Sequence, residues 1–246
     1  MASNAGNTSR GERLAVERRR LWLEFMDFVE RHRQSNWVFR GVADAKNHRL
    51  IPKVGRIASV YDADAEAVIF ANFKRRARQF IETGGMSQWE LLALAQHHGL
   101  PTRLLDWTTN PLVAAYFAVS SEPRDTKARI YAAKAPPLVD VGRVSEPFAC
   151  SHVVSLMPTA VTPRIVAQRG LFTVHPDPTK AWETFWEYDI LEEDTFDIEA
   201  SFRSDFERRL FQVSIDAASI MADLDGICDT LAWQFRSKVA VGEFNY

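Results

Sequence analysis

The chain has 246 residues, a formal net charge of −2, 46% apolar and 25% charged residues, and two cysteines. That length makes one large domain or two small ones, and the apolar share excludes wholesale disorder. Thirty basic against 32 acidic residues argues against binding that rests on overall polyanion attraction, and Cys150 and Cys228, with no metal-spaced His or Cys beside them, point to a reducing compartment without disulfide or metal. Residues 1–9 are small and polar, read as a flexible leader without the apolar stretch of a secretory signal. From about Glu12 to His32 the spacing of Trp22, Phe25, Met26 and Val29 predicts an amphipathic helix. Trp37–Val42 is short and β-rich, a strand ending near Gly41. A second amphipathic helix is expected from Asp62 to Glu82, its apolar stripe Ile69, Phe70, Phe73, Ala77, Phe80 and Ile81, with Lys74, Arg75, Arg76 and Arg78 outward as a solvated face.

Ser87 and Glu90 form a capping box for a third helix that stops at His98, before Gly99 and Pro101. Thr109 or Asn110 caps the next, with Pro111 in its first turn. Strands are expected at Arg129–Ala133, His152–Met157, Leu171–His175 and Phe196–Ala200. Ser204 and Glu207 read as another capping box, and a final helix as running from Asp216 to about Phe235. No apolar run approaches the roughly 20 residues of a membrane span. The expectation is one soluble, cytoplasmic α+β domain, helices concentrated first and strands later.

Three segments carry polar residues that this pattern does not need. In Phe39-Arg40-Gly41, an arginine on a buried strand calls for a partner, either an internal aspartate or a bound carboxylate or phosphate. Gly41 would let a ligand or another backbone approach. In the stretch Gln96–Thr108, vicinal His97 and His98 diverge too far to chelate a metal, Asp106 is a natural partner for Arg40 or Arg103, and Thr108 precedes a helix start that favours an anion. In Arg164–Thr173, Gln168 and Gly170 precede an apolar strand, where Gln168 could serve a backbone group or a ligand. Common phosphate-loop, dinucleotide-loop, serine-elbow and zinc-helix motifs are absent, and neither cysteine has a neighbouring base.

In this order, WVFRG, LALAQHHGLPTRLLDWTTNPLVAAYFA and RIVAQRGLFTV resemble the FRG domain, named for its Phe-Arg-Gly motif. The resemblance runs roughly from Trp37 to Val174 and implies a division into leader (1–9), N-terminal helix (10–36) and FRG domain with C-terminal helices (37–246). A more distant likeness, to the ADP-ribosyltransferase superfamily, implies a mixed or antiparallel split sheet and NAD, as substrate, as the ligand. On that likeness Arg40 anchors the NAD phosphates beside Gly41, Thr108 takes the Ser/Thr role, and Trp107 or Tyr116 stacks on nicotinamide. Gln168 takes the third position, with His97 and His98 beside the site. Gln168 stands where the superfamily has glutamate, so either Asp106, Glu187 or Glu199 supplies the carboxylate or the domain is a weak or inactive relative. The function implied is an ADP-ribosyltransferase-like enzyme, a toxin or defence effector modifying a macromolecular acceptor. The alternative is a non-catalytic module binding a ligand or protein partner. Nucleic acid and membrane are not expected partners.

Overall fold

The computed structural model describes residues 3–159, 163–182 and 192–239. Six strands form one sheet: β1 (Trp37–Val42), β2 (Leu104–Thr108), β3 (Ala128–Lys134), β4 (Val154–Leu156), β5 (Gly170–Val174) and β6 (Thr195–Ile198). Their order is β4-β5-β2-β1-β3-β6, with every neighbouring pair antiparallel. The helices are α1 (Ser3–Arg31), α2 (Ala63–Ala77), α3 (Gln88–His97), α4 (Pro111–Ser120), α5 (Pro163–Ala167), α6 (Arg203–Gln212), α7 (Ala217–Met221) and α8 (Leu224–Ser237). The fold is α+β.

The pairing is uneven. β1 matches β3 along its whole length, from Trp37↔Lys134 to Val42↔Arg129, yet meets β2 only at Phe39↔Thr108. β2 in turn pairs with β5 throughout. The sheet therefore parts between β1 and β2, and its two halves, β4-β5-β2 and β1-β3-β6, diverge beyond that single contact.

Alternation along β1 sends Phe39 and Gly41 to one face and Val38, Arg40 and Val42 to the other. The first face is covered by helices. Phe25 and Phe28 of α1, Ala114, Ala115 and Ala118 of α4, and Phe206 and Leu210 of α6 pack there against Phe39, Ile130 and Ile198. Trp89, Leu92 and Ala95 of α3, with Phe70 of α2, cover Leu104, Phe172 and Val174. On the second face Leu50 and Trp182, from irregular connections, cover Val38, Val42, Leu105, Trp107 and Leu171.

Several expected boundaries move for local reasons. The first helix starts at Ser3, inside the segment read as a leader. No proline interrupts that stretch, and extending a helix is easier than nucleating one. α2 stops at Ala77 and turns follow, so Phe80 of its expected stripe is 84% exposed. The capping box at Ser87 and the Asn110 cap form as read. Ser204 does not cap α6. A short 3-10 turn over Ala200–Phe202 leads into the helix, whose first residue is Arg203. The guanidinium of Arg203, itself buried, donates to the carbonyls of Ala43, Val119, Ser121, Pro123 and Thr126, holding the α4–β3 connection against the end of β1. The last expected helix is two, because Ala222 adopts a left-handed conformation (φ 53°) and Asp223 caps a new start.

Candidate functional site

Where β1 and β2 part, backbone groups lose their ladder partners, and an arginine supplies one of them. Arg40 Nη1 donates to the carbonyl oxygen of Asp106 at 2.6 Å, with the Asp106 carboxylate 3.5 Å away. Arg40 is thereby the bridge between the two halves of the split. Its Nε is buried and has no hydrogen-bond partner. Burial lowers the proton affinity of its guanidinium; Asp106 opposes that shift, and the positive charge of Arg56 adds to it.

The gap opens into a cavity of about 640 Å³, within the roughly 300–1,000 Å³ range of small-molecule sites. Arg40, Gly41, Asp106, Trp107, Thr108 and Gln168 all line it. So do Asn47, His48, Arg49 and Arg56 from the β1–α2 connection, Arg164 from α5, and Ala114, Phe117 and Ser121 along α4. Among these described lining residues four are arginines and Asp106 is the single carboxylate. Such a wall favours an anion.

The Asp106 carboxylate is 61% exposed at the cleft but held in place from behind. Gln96 Nε2 donates to its Oδ1 at 2.8 Å, and Thr102 Oγ1 donates to Gln96 Oε1, which fixes the amide's orientation. Asp106 is not the partner of Arg103. That arginine is buried and forked onto Glu66, at 3.1 and 2.7 Å, with Tyr61 donating to the same carboxylate.

The hydroxyl proton of Thr108 is committed within the protein, so it has no donor left for a ligand. Its Oγ1 donates to the Gln168 carbonyl at 2.6 Å and accepts from Asn110 N at 3.0 Å, tying β2 to the α5–β5 turn. Gln168 Nε2, by contrast, is buried at the cleft and donates to no group of the protein. Trp107 is nearly buried; its Nε1 donates to Thr173 Oγ1 at 3.0 Å and its ring meets Trp182 edge-on.

Three expected members stand elsewhere. Ala114, Phe117 and Ser121 face the cleft at i, i+3 and i+7, and Tyr116 lies off that line. It lines a second, smaller cavity with Arg124, Glu207 and Trp233. His97 and His98 stack edge to face at the end of α3 but do not line the cleft. It is Gln96, one residue earlier, that reaches Asp106. Of the carboxylate candidates, Glu187 lies outside the described residues. Glu199 pairs with Lys127 at 2.9 Å, beside the edge strand β6, and is not in the cleft lining.

Arg56, Arg49 and His48 were not singled out from sequence. The signal was a basic run, KNHRLIPKVGR, in a connection that lacks helical or strand periodicity.

Behind the cleft His175 is 1% exposed, with Nε2 2.9 Å from Thr173 Oγ1. Burial, with the charge of Arg40, depresses its pKa from 6.5 to about 4. The folded state therefore holds the neutral ring, while the unfolded chain takes up a proton as pH drops below 6.5. This contribution is fully present above about 6.5 and is lost as pH falls towards 4. Urea unfolding at about pH 7 and pH 4 should show a stability loss that shrinks by roughly 3 kcal/mol in His175→Gln. Equal losses in both proteins would refute the assignment.

An α+β protein with a cationic cleft at a split in its sheet is the class these features define. Residues 35–127 match the family model of the FRG domain, and the chain carries an FRG domain across that segment. The match takes in Arg40, Gly41, Asp106, Trp107 and Thr108, whereas Arg164 and Gln168 come from beyond it. No curated protein and no solved structure matches the chain. Among the described residues, no helix is long and apolar enough to cross a membrane.

Proposed function

We propose that the cleft binds an NAD-type dinucleotide as substrate and that the protein is an ADP-ribosyltransferase-like enzyme. The observation that carries this reading is a pair of buried donors without protein partners, Arg40 Nε and Gln168 Nε2, in a cationic cleft whose described lining has Asp106 as its carboxylate. Arg40 presents a planar fork suited to phosphate oxygens. Gln168 offers an amide N–H to a ribose hydroxyl or phosphate oxygen. In the reaction the ribose C1′–nicotinamide bond breaks, and its electron pair leaves on the ring nitrogen. Positive charge develops on the ribose, where the Asp106 carboxylate stabilises it. The acceptor nucleophile then bonds to C1′ and gives up its proton to Asp106.

A second reading, a non-catalytic binding module, draws on the state of two groups. The Thr108 hydroxyl proton is committed within the protein, and Asp106 is already held by Gln96 and Arg40. One experiment separates the two. NAD binding is measured by calorimetry, and nicotinamide release is followed with and without cell lysate as a source of acceptor. Turnover that falls on the order of 10²-fold in Asp106→Asn supports the enzyme. Binding without nicotinamide release supports the module. Absence of binding overturns both nucleotide readings.

A further inference from the structure

We propose that the ligand of this cleft carries a phosphate beyond its diphosphate bridge, making it a phosphorylated dinucleotide of the NADP kind, and that Arg164 and Gln168 hold the extra group. This rests on the dinucleotide reading above and deepens it.

The argument is one of charge and placement. Arg40 and Arg56 lie close enough for one to lower the proton affinity of the other. Arg56 is exposed, and its Nε makes a single long bond, 3.4 Å to the Ile51 carbonyl. Two neighbouring guanidiniums in a partly desolvated wall call for a dianion between them, which a diphosphate provides. That leaves the cleft-lining Arg164 and Gln168 unanswered. Arg56 belongs to the connection that bonds to the start of β2, through Val54 N to Thr102 O at 3.3 Å. Arg164 stands near the other end, on the helix whose last turn is fastened to Thr108.

Arg164 has no acidic partner within salt-bridge distance among the described residues, and it lines the cleft. Gln168 follows it by four residues, with its backbone N–H bonded to the Arg164 carbonyl at 3.0 Å, so the two side chains share one face of the turn. The Gln168 Nε2 is the second, independent observation: a buried donor at the same end with nothing to donate to. A full guanidinium charge and a neutral amide donor together suit a phosphate better than a bare ribose hydroxyl. The two charges of a diphosphate answer Arg40 and Arg56, which leaves Arg164 and Gln168 for a further phosphate.

Titration calorimetry with NADP and with NAD, on the wild type, Arg164→Ala and Gln168→Leu, tests this. NADP is expected to bind about tenfold to hundredfold more tightly than NAD, with the ratio falling towards one in Arg164→Ala and partway in Gln168→Leu. Equal affinities, or a preference that survives Arg164→Ala, would overturn the assignment. Adenosine 2′,5′-bisphosphate against adenosine monophosphate separates this failure from that of the enzyme reading. An Arg164-dependent preference between these fragments, without nicotinamide release, keeps the extra-phosphate site and removes the transferase. No preference between the fragments removes the site even if NAD turns over.

Discussion

Gly41→Ala is expected to destabilise the protein at or above the top of the ~1–3 kcal/mol range of overpacked cores. A Cβ at this position would stand 1.8 Å from the Ala114 carbonyl oxygen and 2.7 Å from Ala118 N. Both are backbone atoms of α4, so no side chain can rotate away. Ala114, Ala115 and Ala118 are fully buried, and the helix lies directly on β1 because residues on both sides of the contact are small. The melting temperature should drop by roughly 6–12 °C, using the usual 2–4 °C per kcal/mol for a chain of this size. An unchanged melting curve would mean that α4 does not approach β1 as described. The same contact sets the cleft, since Ala114, Phe117 and Ser121 form one of its walls. The space a side chain would take at Gly41 is filled by helix backbone.

Its neighbour should behave in the opposite way. Arg40→Ala is expected to leave the protein folded and to weaken dinucleotide binding by roughly 100-fold, as losing charge-assisted hydrogen bonds worth ~1.5–3 kcal/mol implies. The stability cost stays near 1 kcal/mol, because the group left behind is not a buried charge. The Asp106 carboxylate is 61% exposed, and its closest approach to Arg40 is 3.5 Å. Had the pair been sealed from solvent, truncation would instead cost about 3–5 kcal/mol. Arg40→Lys should fall between wild type and alanine, retaining charge but not the planar fork. Calorimetric titration with NAD, alongside thermal melts, measures both quantities. Affinity unchanged in Arg40→Ala, or loss of the fold, would refute the role given to this arginine.

The two adjacent positions show how differently sequence bears on fold and on site. Local elements were legible where local chemistry decides them. The Ser87–Glu90 box, the Asn110 cap with Pro111, and the alternation of Trp37–Val42 depend on neighbours a few residues away. The reading failed where a distant contact overrules the local one. Ser204 has the makings of a cap, but Arg203 is drawn to the carbonyls of Val119 in α4, of Ala43 just past β1, and of Ser121, Pro123 and Thr126 in the α4–β3 connection, and the helix starts there instead. Asp223 was a second cap hidden inside an apparently continuous helix, revealed only by the left-handed turn at Ala222.

For the site, the three polar segments could be found as surplus to secondary structure, and Arg40, Asp106, Thr108 and Gln168 do meet in one cleft. Which face each side chain takes was a different matter. Tyr116 and the two histidines belong to the same quoted segments, yet helical geometry turns them elsewhere. Arg56 enters from a connection without periodicity, which sequence patterns cannot aim.

The length and apolar share of this chain determined by themselves that it would fold around its own core, while its charge balance fixed only a total. Caps, turns and strand alternation followed from local hydrogen bonding and hydrophobic period. Only the tertiary structure decided that the cations of a near-neutral chain gather where β1 and β2 part. Strand pairing is a long-range choice. Where it ends after Phe39↔Thr108, the Asp106 carbonyl and the unspent Nε donor of Arg40 meet in a single place.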